Sequence, residues 1–217
     1  MGNRYGEDLM ENRLKLIYDA GSNLFINKGY ALTQMRDIAK DIGLSVGMLY
    51  QYFTGKKDIL HFVLKCTIMP SFLGREFDYP VKPELFSDVV DLIVKVFAAN
   101  QEQFGQHLKD DAADYALQDM LSDAFDIIAK YGVGLLIIEH NRDSLVELNG
   151  YYGQFRQVYL QQVLAYIRIY KANGTFRIVG EDSYAARAIV EVLAWWGMHI
   201  MHDAYDRDNN ITLEKSK

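Results

Sequence analysis

The run SVGMLYQYFTGKK at residues 45–57 concentrates groups that suit a polyanionic duplex. The phenols of Tyr50 and Tyr52 can donate to phosphate oxygens, and Lys56 and Lys57 carry charge that a phosphate backbone attracts. Gly47 has no Cβ, so a nucleic-acid backbone can come close. Leu49 and Phe53, four apart, form a buried edge, which leaves Val46, Gly47, Met48, Gln51 and Tyr52 for the other faces.

Those side chains need a short helix held clear of the core, and the preceding residues supply its support. Ile38, Ala39 and Ile42 fall at helical spacing, so residues 33–42 are expected to form an amphipathic helix with Thr33 as N-cap. Gly43 is the left-handed stop, Leu44 turns inward, and Ser45 caps a second helix from Val46 to Tyr52. Two short helices joined by a three-residue turn containing Gly make a helix-turn-helix, whose second helix enters a major groove. Upstream, residues 1–9 are expected to be an arm. Leu14, Ile17, Tyr18, Gly21, Leu24 and Phe25 then make the stripe of a first helix that stops at Gly29.

The stretch LTQMRDIAKDIGLSVGMLYQYFTGKKDIL resembles the N-terminal DNA-binding domain of TetR/AcrR family transcriptional regulators. The resemblance is close over about residues 10–65. It is carried by Thr33, Asp37-Ile38-Ala39, Gly43-Leu44-Ser45, Leu49-Tyr50-Gln51-Tyr52-Phe53 and Lys56. It implies phosphate contacts from Thr33, Tyr50, Tyr52 and Lys56, and base contacts from Ser45, Val46, Gly47 and Met48, with Arg36 a further reader. The chain departs from the family at Val46-Gly47 and Met48, where polar residues or Pro are common. Apolar side chains there point to thymine methyls in place of bidentate hydrogen bonds. The resemblance further implies a homodimer on a near-palindromic double-stranded operator, a repressor role and a small-molecule effector.

The net charge of −6 is unevenly spread. Residues 1–65 hold nine basic and seven acidic residues, so the excess of acid lies entirely in the remainder. An acidic body with a mildly basic head is drawn to DNA only at the head. No run of about 18 apolar residues exists to cross a membrane, and the polar N-terminus does not read as a signal peptide. The single cysteine, Cys66, cannot form an internal disulfide, which suits a reducing cytoplasm.

The three prolines, Pro70, Pro80 and Pro83, mark residues 70–83 as the connection between head and body. Helix is expected thereafter at 84–104, 117–140, from about 144 to 173 and at 181–205, followed by a polar tail. The fold class is therefore all-α: an N-terminal three-helix helix-turn-helix domain (1–65) and a C-terminal helical bundle for ligand binding and dimerisation (66–217). The last two long helices carry apolar residues on several faces, among them Val158, Leu160 and Ile167 on one and Val190, Trp195 and Trp196 on the other. Pairing with a second copy would cover them. Phe104, Tyr115, Met120, Phe125, Tyr131, Tyr152 and Phe155 are the candidate ligand-lining residues; the same aromatics at helical spacing also suit a plain core. A body with no ligand, acting through protein partners, is the rival reading. His199 and His202, three apart, lack a third ligand with a metal motif, and no cofactor is expected. No nucleophile elbow or phosphate-cradling Gly loop occurs, which argues against an enzyme.

Overall fold

The computed structural model describes residues 4–177, 180–204, 212 and 214, with side chains from Arg13 onward. The chain divides into two compact units, Met1–Ile93 with Val133–Val146, and Val94–Gly132 with Glu147–Lys217.

In the first unit, α1 (Arg4–Leu24) begins inside the segment expected to be an arm. It runs into a π turn, Phe25–Gly29, and Gly29 closes it with φ +87°. Then come α2 (Met35–Asp41), α3 (Val46–Tyr52) and α4 (Lys56–Ile68). Leu14, Ile17 and Phe25 of the first stripe meet Ile38, Leu49, Phe53, Ile59 and Val63, all buried. α2 is capped one residue later than the sequence suggests. Gln34 is the N-cap, and Asp37 reaches back to its N–H at 2.8 Å, because the Thr33 hydroxyl is turned inward. Gly43 takes φ +68°, the left-handed turn expected of it. Leu44 is only half-buried.

Residues 70–86 are not a free connection. A 3-10 turn, Pro70–Phe72, follows α4, and the chain then folds back over the head. Phe72, Val81 and Phe86 are buried. The Val81 N–H donates to the Tyr52 carbonyl at 2.8 Å, and Val81 makes an isolated parallel bridge with Phe53. Lys65, itself buried, donates to the Leu85 carbonyl and the Asp88 carboxylate, each at 2.6 Å. The prolines end helices, as their missing N–H requires, but the aromatic residues between them belong to the head's core. The helix expected at 84–104 is likewise split into a 3-10 turn, Pro83–Phe86, and α5 (Val89–Gly105).

The end of α6 (Leu117–His140) is also part of this unit. Asn141 is buried, and its amide Nδ2 donates to the carbonyls of Phe25 at 2.9 Å and Ile137 at 2.8 Å. Its Oδ1 accepts from the Tyr30 N–H at 2.5 Å. The side chain therefore stands where a Tyr30 N–H to Phe25 C=O rung would extend the π turn, and bonds both groups. His140 Nδ1 lies 3.0 Å from the Ile26 carbonyl.

The second unit contains most of α5, the first part of α6, α7 (Val146–Ala172) and α8 (Asp182–Ala194). α8 continues through a π turn, Trp195–His199, to Ile200–His202; Tyr205 and nearly all of the polar tail lie outside the described residues. The two glycines of α6, which cost helix propensity, sit at close approaches. A Cβ on Gly132 would come within 2.9 Å of Met198 Cβ, and one on Gly134, in the first unit, within 3.3 Å of Thr67 Cγ2. On α7, Val163, Leu164, Tyr166, Ile167 and Tyr170 are buried within their own chain, so their number does not require a second subunit. The phenol of Tyr159 donates to the Ala124 carbonyl at 2.8 Å, that of Tyr170 to Tyr115 at 2.7 Å, and that of Tyr166 to Phe104.

Candidate nucleic-acid interface

α3 is fixed at both ends and bare between them. Ser45, in extended backbone, accepts the Met48 N–H at 3.1 Å and so caps the helix. Leu49 and Phe53 are fully buried and bolt it to the head. Val46, Gly47, Tyr50 and Gln51 are exposed and form one stripe; Met48 is half-buried at its margin. A Cβ on Gly47 would meet only Ser45 Oγ, at 3.9 Å, so no contact within the chain demands a glycine there. Lys57 and Arg36 are exposed beside this stripe in sequence, on α4 and α2.

Three of the eleven residues sit differently from what a direct backbone contact needs. Thr33 is 0% exposed, and its hydroxyl donates to the carbonyls of Gly29 at 2.7 Å and Leu24 at 3.3 Å. Tyr52 is 6% exposed; its hydroxyl accepts from Arg13 Nη1 at 2.9 Å, and the Tyr79 ring packs edge-on against it at 5.0 Å. The Lys56 ammonium donates to the Tyr30 carbonyl at 2.6 Å and lies 4.3 Å from that residue's ring centroid. Partial burial lowers its pKa. The sequence could not show these inward turns, because the partners are mostly backbone carbonyls.

Around α2, Lys28 donates to Asp37 at 2.6 Å, and that bond, with the Gln34 N–H, holds the Asp37 carboxyl below its ordinary pKa. The capping carboxylate is thereby kept charged at the positive end of α2. Arg13 is absent from the sequence-derived set. Its signal is weak, since it lies on α1, 39 residues from its partner.

The seven residues expected to line a ligand site are interior. Phe104, Tyr115, Met120, Phe125, Tyr152 and Phe155 are buried and Tyr131 half-buried. Phe155 stacks on Phe97 at 4.6 Å, Phe104 on Tyr159 at 5.3 Å, and Tyr115 on His107 at 4.0 Å while donating to Asp123 at 2.8 Å. Burial and that carboxylate push the Tyr115 pKa far up. A groove of about 590 Å³ on this unit is lined instead by Leu108, Gln154, Gln157, Val158, Gln161 and Gln162.

Among the described residues, no group of three or more His, Cys, Asp and Glu side chains could hold a metal ion; His199 is paired to Asp203 at 2.9 Å. No helix among the described residues is long and apolar enough to cross a membrane.

Comparison with known proteins converges on the head. Residues 17–63 match the family described as bacterial regulatory proteins, tetR family. The HTH-type transcriptional regulator HbdR of Aromatoleum sp. (strain CIB) is 42% identical over 57 residues, which are 26% of this chain and 25% of that protein. The chain thus spans about a quarter of that relative's length. Among solved structures, the probable transcriptional regulatory protein RHA5900 shares the fold, with a TM-score of 0.50 at 16% identity over 93% of this chain and 90% of that one. The TetR family regulator PfmR from Thermus thermophilus gives a TM-score of 0.42 at 20% identity over 82% and 81%. With its capped, outward-facing α3 lying inside the matched residues, the chain belongs to the tetR family of bacterial regulatory proteins.

Proposed function

We propose that the protein is a homodimeric, sequence-specific DNA-binding transcriptional regulator, acting in the cytoplasm as a repressor at a near-palindromic operator. The observation that carries this reading is the bare stripe Val46, Gly47, Tyr50 and Gln51 on a helix whose opposite side is fully buried. In this reading Val46 and Met48 meet thymine methyls, Gln51 and Arg36 donate to base edges or phosphates, and Tyr50 and Lys57 donate to phosphates. Two copies would place their α3 helices about one DNA turn apart.

The dimer surface we assign is α8. Tyr184, Val192, Trp195 and Trp196 are exposed at a spacing that puts them along one side, and Tyr184 is 72% exposed. Large apolar side chains clustered in solvent mark an association surface. Trp196→Glu should convert a dimer to a monomer in sedimentation; a wild-type monomer at micromolar concentration would remove the dimer.

A small apolar or amphipathic effector in the body, residues 66–217, remains part of this reading, with Phe104, Tyr115, Met120, Phe125, Tyr131, Tyr152 and Phe155 as its candidate contacts. A ligand shifts operator affinity only by its differential affinity for two states, typically ~1–3 kcal/mol. The rival, a ligand-free body that works through protein partners, is favoured by one observation: these aromatics already stack on one another and on neighbours. Selection of duplexes from random DNA by the full chain tests the main reading; recovery of a two-fold half-site is expected, and no enrichment would sink it. Thermal shifts with a panel of apolar and amphipathic compounds separate the two bodies.

A further inference from the structure

We infer that Arg13 is the phosphate ligand at the end of α3, and that Tyr52 is the positioning residue that holds it. This rests on the proposed DNA-binding function and assigns a role to a residue outside the matched segment.

Tyr52 itself is poorly placed to touch a phosphate. Its ring is almost wholly enclosed, Tyr79 covers it edge-on, and its backbone carbonyl is tied to the Val81 N–H. What it presents is a phenol oxygen, 2.9 Å from Arg13 Nη1. A guanidinium has five N–H donors in a planar fork, and this bond uses one. Because the acceptor is a neutral phenol, Arg13 keeps its full positive charge. The side chain is half-exposed. On α1 its neighbours three and four residues away are Leu9, Met10, Leu16 and Ile17, so no acid sits at helix-pairing distance along its own element. The result is a cation fixed beside the last turn of α3, in the two-pronged shape that matches a phosphate. The residues folded back after α4 serve the same end, since Tyr79 and Val81 hold Tyr52 in place.

Phosphate contacts are independent of base sequence, so full-length protein and a random-sequence duplex are sufficient. Binding is followed by fluorescence anisotropy across a salt series for the wild type, Arg13→Gln, Arg13→Lys and Tyr52→Phe, each checked for fold by circular dichroism. Arg13→Gln should weaken binding about five- to tenfold at low salt and make the log–log salt slope shallower by about 0.9, the loss of one phosphate contact. Arg13→Lys should keep the slope. Tyr52→Phe keeps the ring packing but releases the fork, so affinity should fall about two- to threefold with the slope unchanged. Arg13→Gln with the wild-type slope overturns the assignment. So does a Tyr52→Phe protein whose slope drops by about 0.9, which would put the phenol on the phosphate. Where Arg13→Gln is misfolded, Arg13→Lys and Tyr52→Phe decide between the same two results. A wild type that ignores the duplex removes the DNA-binding reading as a whole, whereas binding that is indifferent to Arg13 removes only this one.

Discussion

Replacing Asn141 with Ala should be among the most damaging single changes in the head unit, although the residue lies far from α3 in sequence. Its amide makes three bonds: two donated, to the carbonyls of Phe25 and Ile137, and one accepted, from the Tyr30 N–H. The first and last of these partners are the groups left open where the π turn ends. Alanine removes all three bonds and leaves a space too small and too apolar for water to serve both groups. An unpaired buried backbone group costs about 1–3 kcal/mol; with Tyr30 only half-buried, the sum comes to about 2–5 kcal/mol. Denaturant unfolding followed by far-UV circular dichroism would measure it, and amide exchange at Tyr30 would localise it. A loss under about 0.5 kcal/mol, or Tyr30 exchange as slow as in the wild type, would refute the reasoning. Asn141→Asp sharpens the test. The carboxylate keeps the Tyr30 bond but faces two carbonyls without a donor, so the folded state should raise its pKa above the ordinary value of about 3.9. Stability of that variant is then greatest below this unfolded value and falls as pH rises through the raised one.

Further outcomes follow from other sites. Ser45→Ala removes the acceptor for the Met48 N–H and should cost about 1 kcal/mol of thermal stability; no change in melting temperature would mean that α3 does not need its cap. Met48→Gln, at the margin of the exposed stripe, should alter the base preference recovered in duplex selection, and an unchanged consensus would take Met48 off the reading edge. Burial pushes the Cys66 thiol up to about 12, so iodoacetamide at pH 8 should label it only on unfolding. The unfolded thiol titrates near 8.5. Its contribution to stability is therefore complete below that pH and is lost as pH rises toward the folded value; rapid labelling of the native protein would contradict this.

The helices themselves could be read from the letters because their determinants are local. Ser45, Gly43 and Gly29 act within four residues of where they stand, and α3 and α6 fall on their expected bounds. What could not be read is whatever depends on a partner distant in the chain or on a backbone atom, which has no letter. Thr33 has the right chemistry for an N-cap, but the Gly29 and Leu24 carbonyls take its hydroxyl inward, and Gln34 with Asp37 does the capping. The proline-bracketed segment was readable as non-helical but not as head core, since nothing local reveals that Phe72 and Val81 meet Phe62 and Tyr52. The same limit explains Tyr52. Its place in the L-Y-x-Y-F pattern invites a phosphate contact, whereas its bonds to Arg13 and Val81 place it beneath the surface that a phosphate would meet. Pattern therefore locates the DNA-facing helix, and the long-range contacts decide which of its neighbours reach the duplex. A substitution series guided by the motif alone would spend its effort on Tyr52 and Thr33 and omit Arg13 and Asn141.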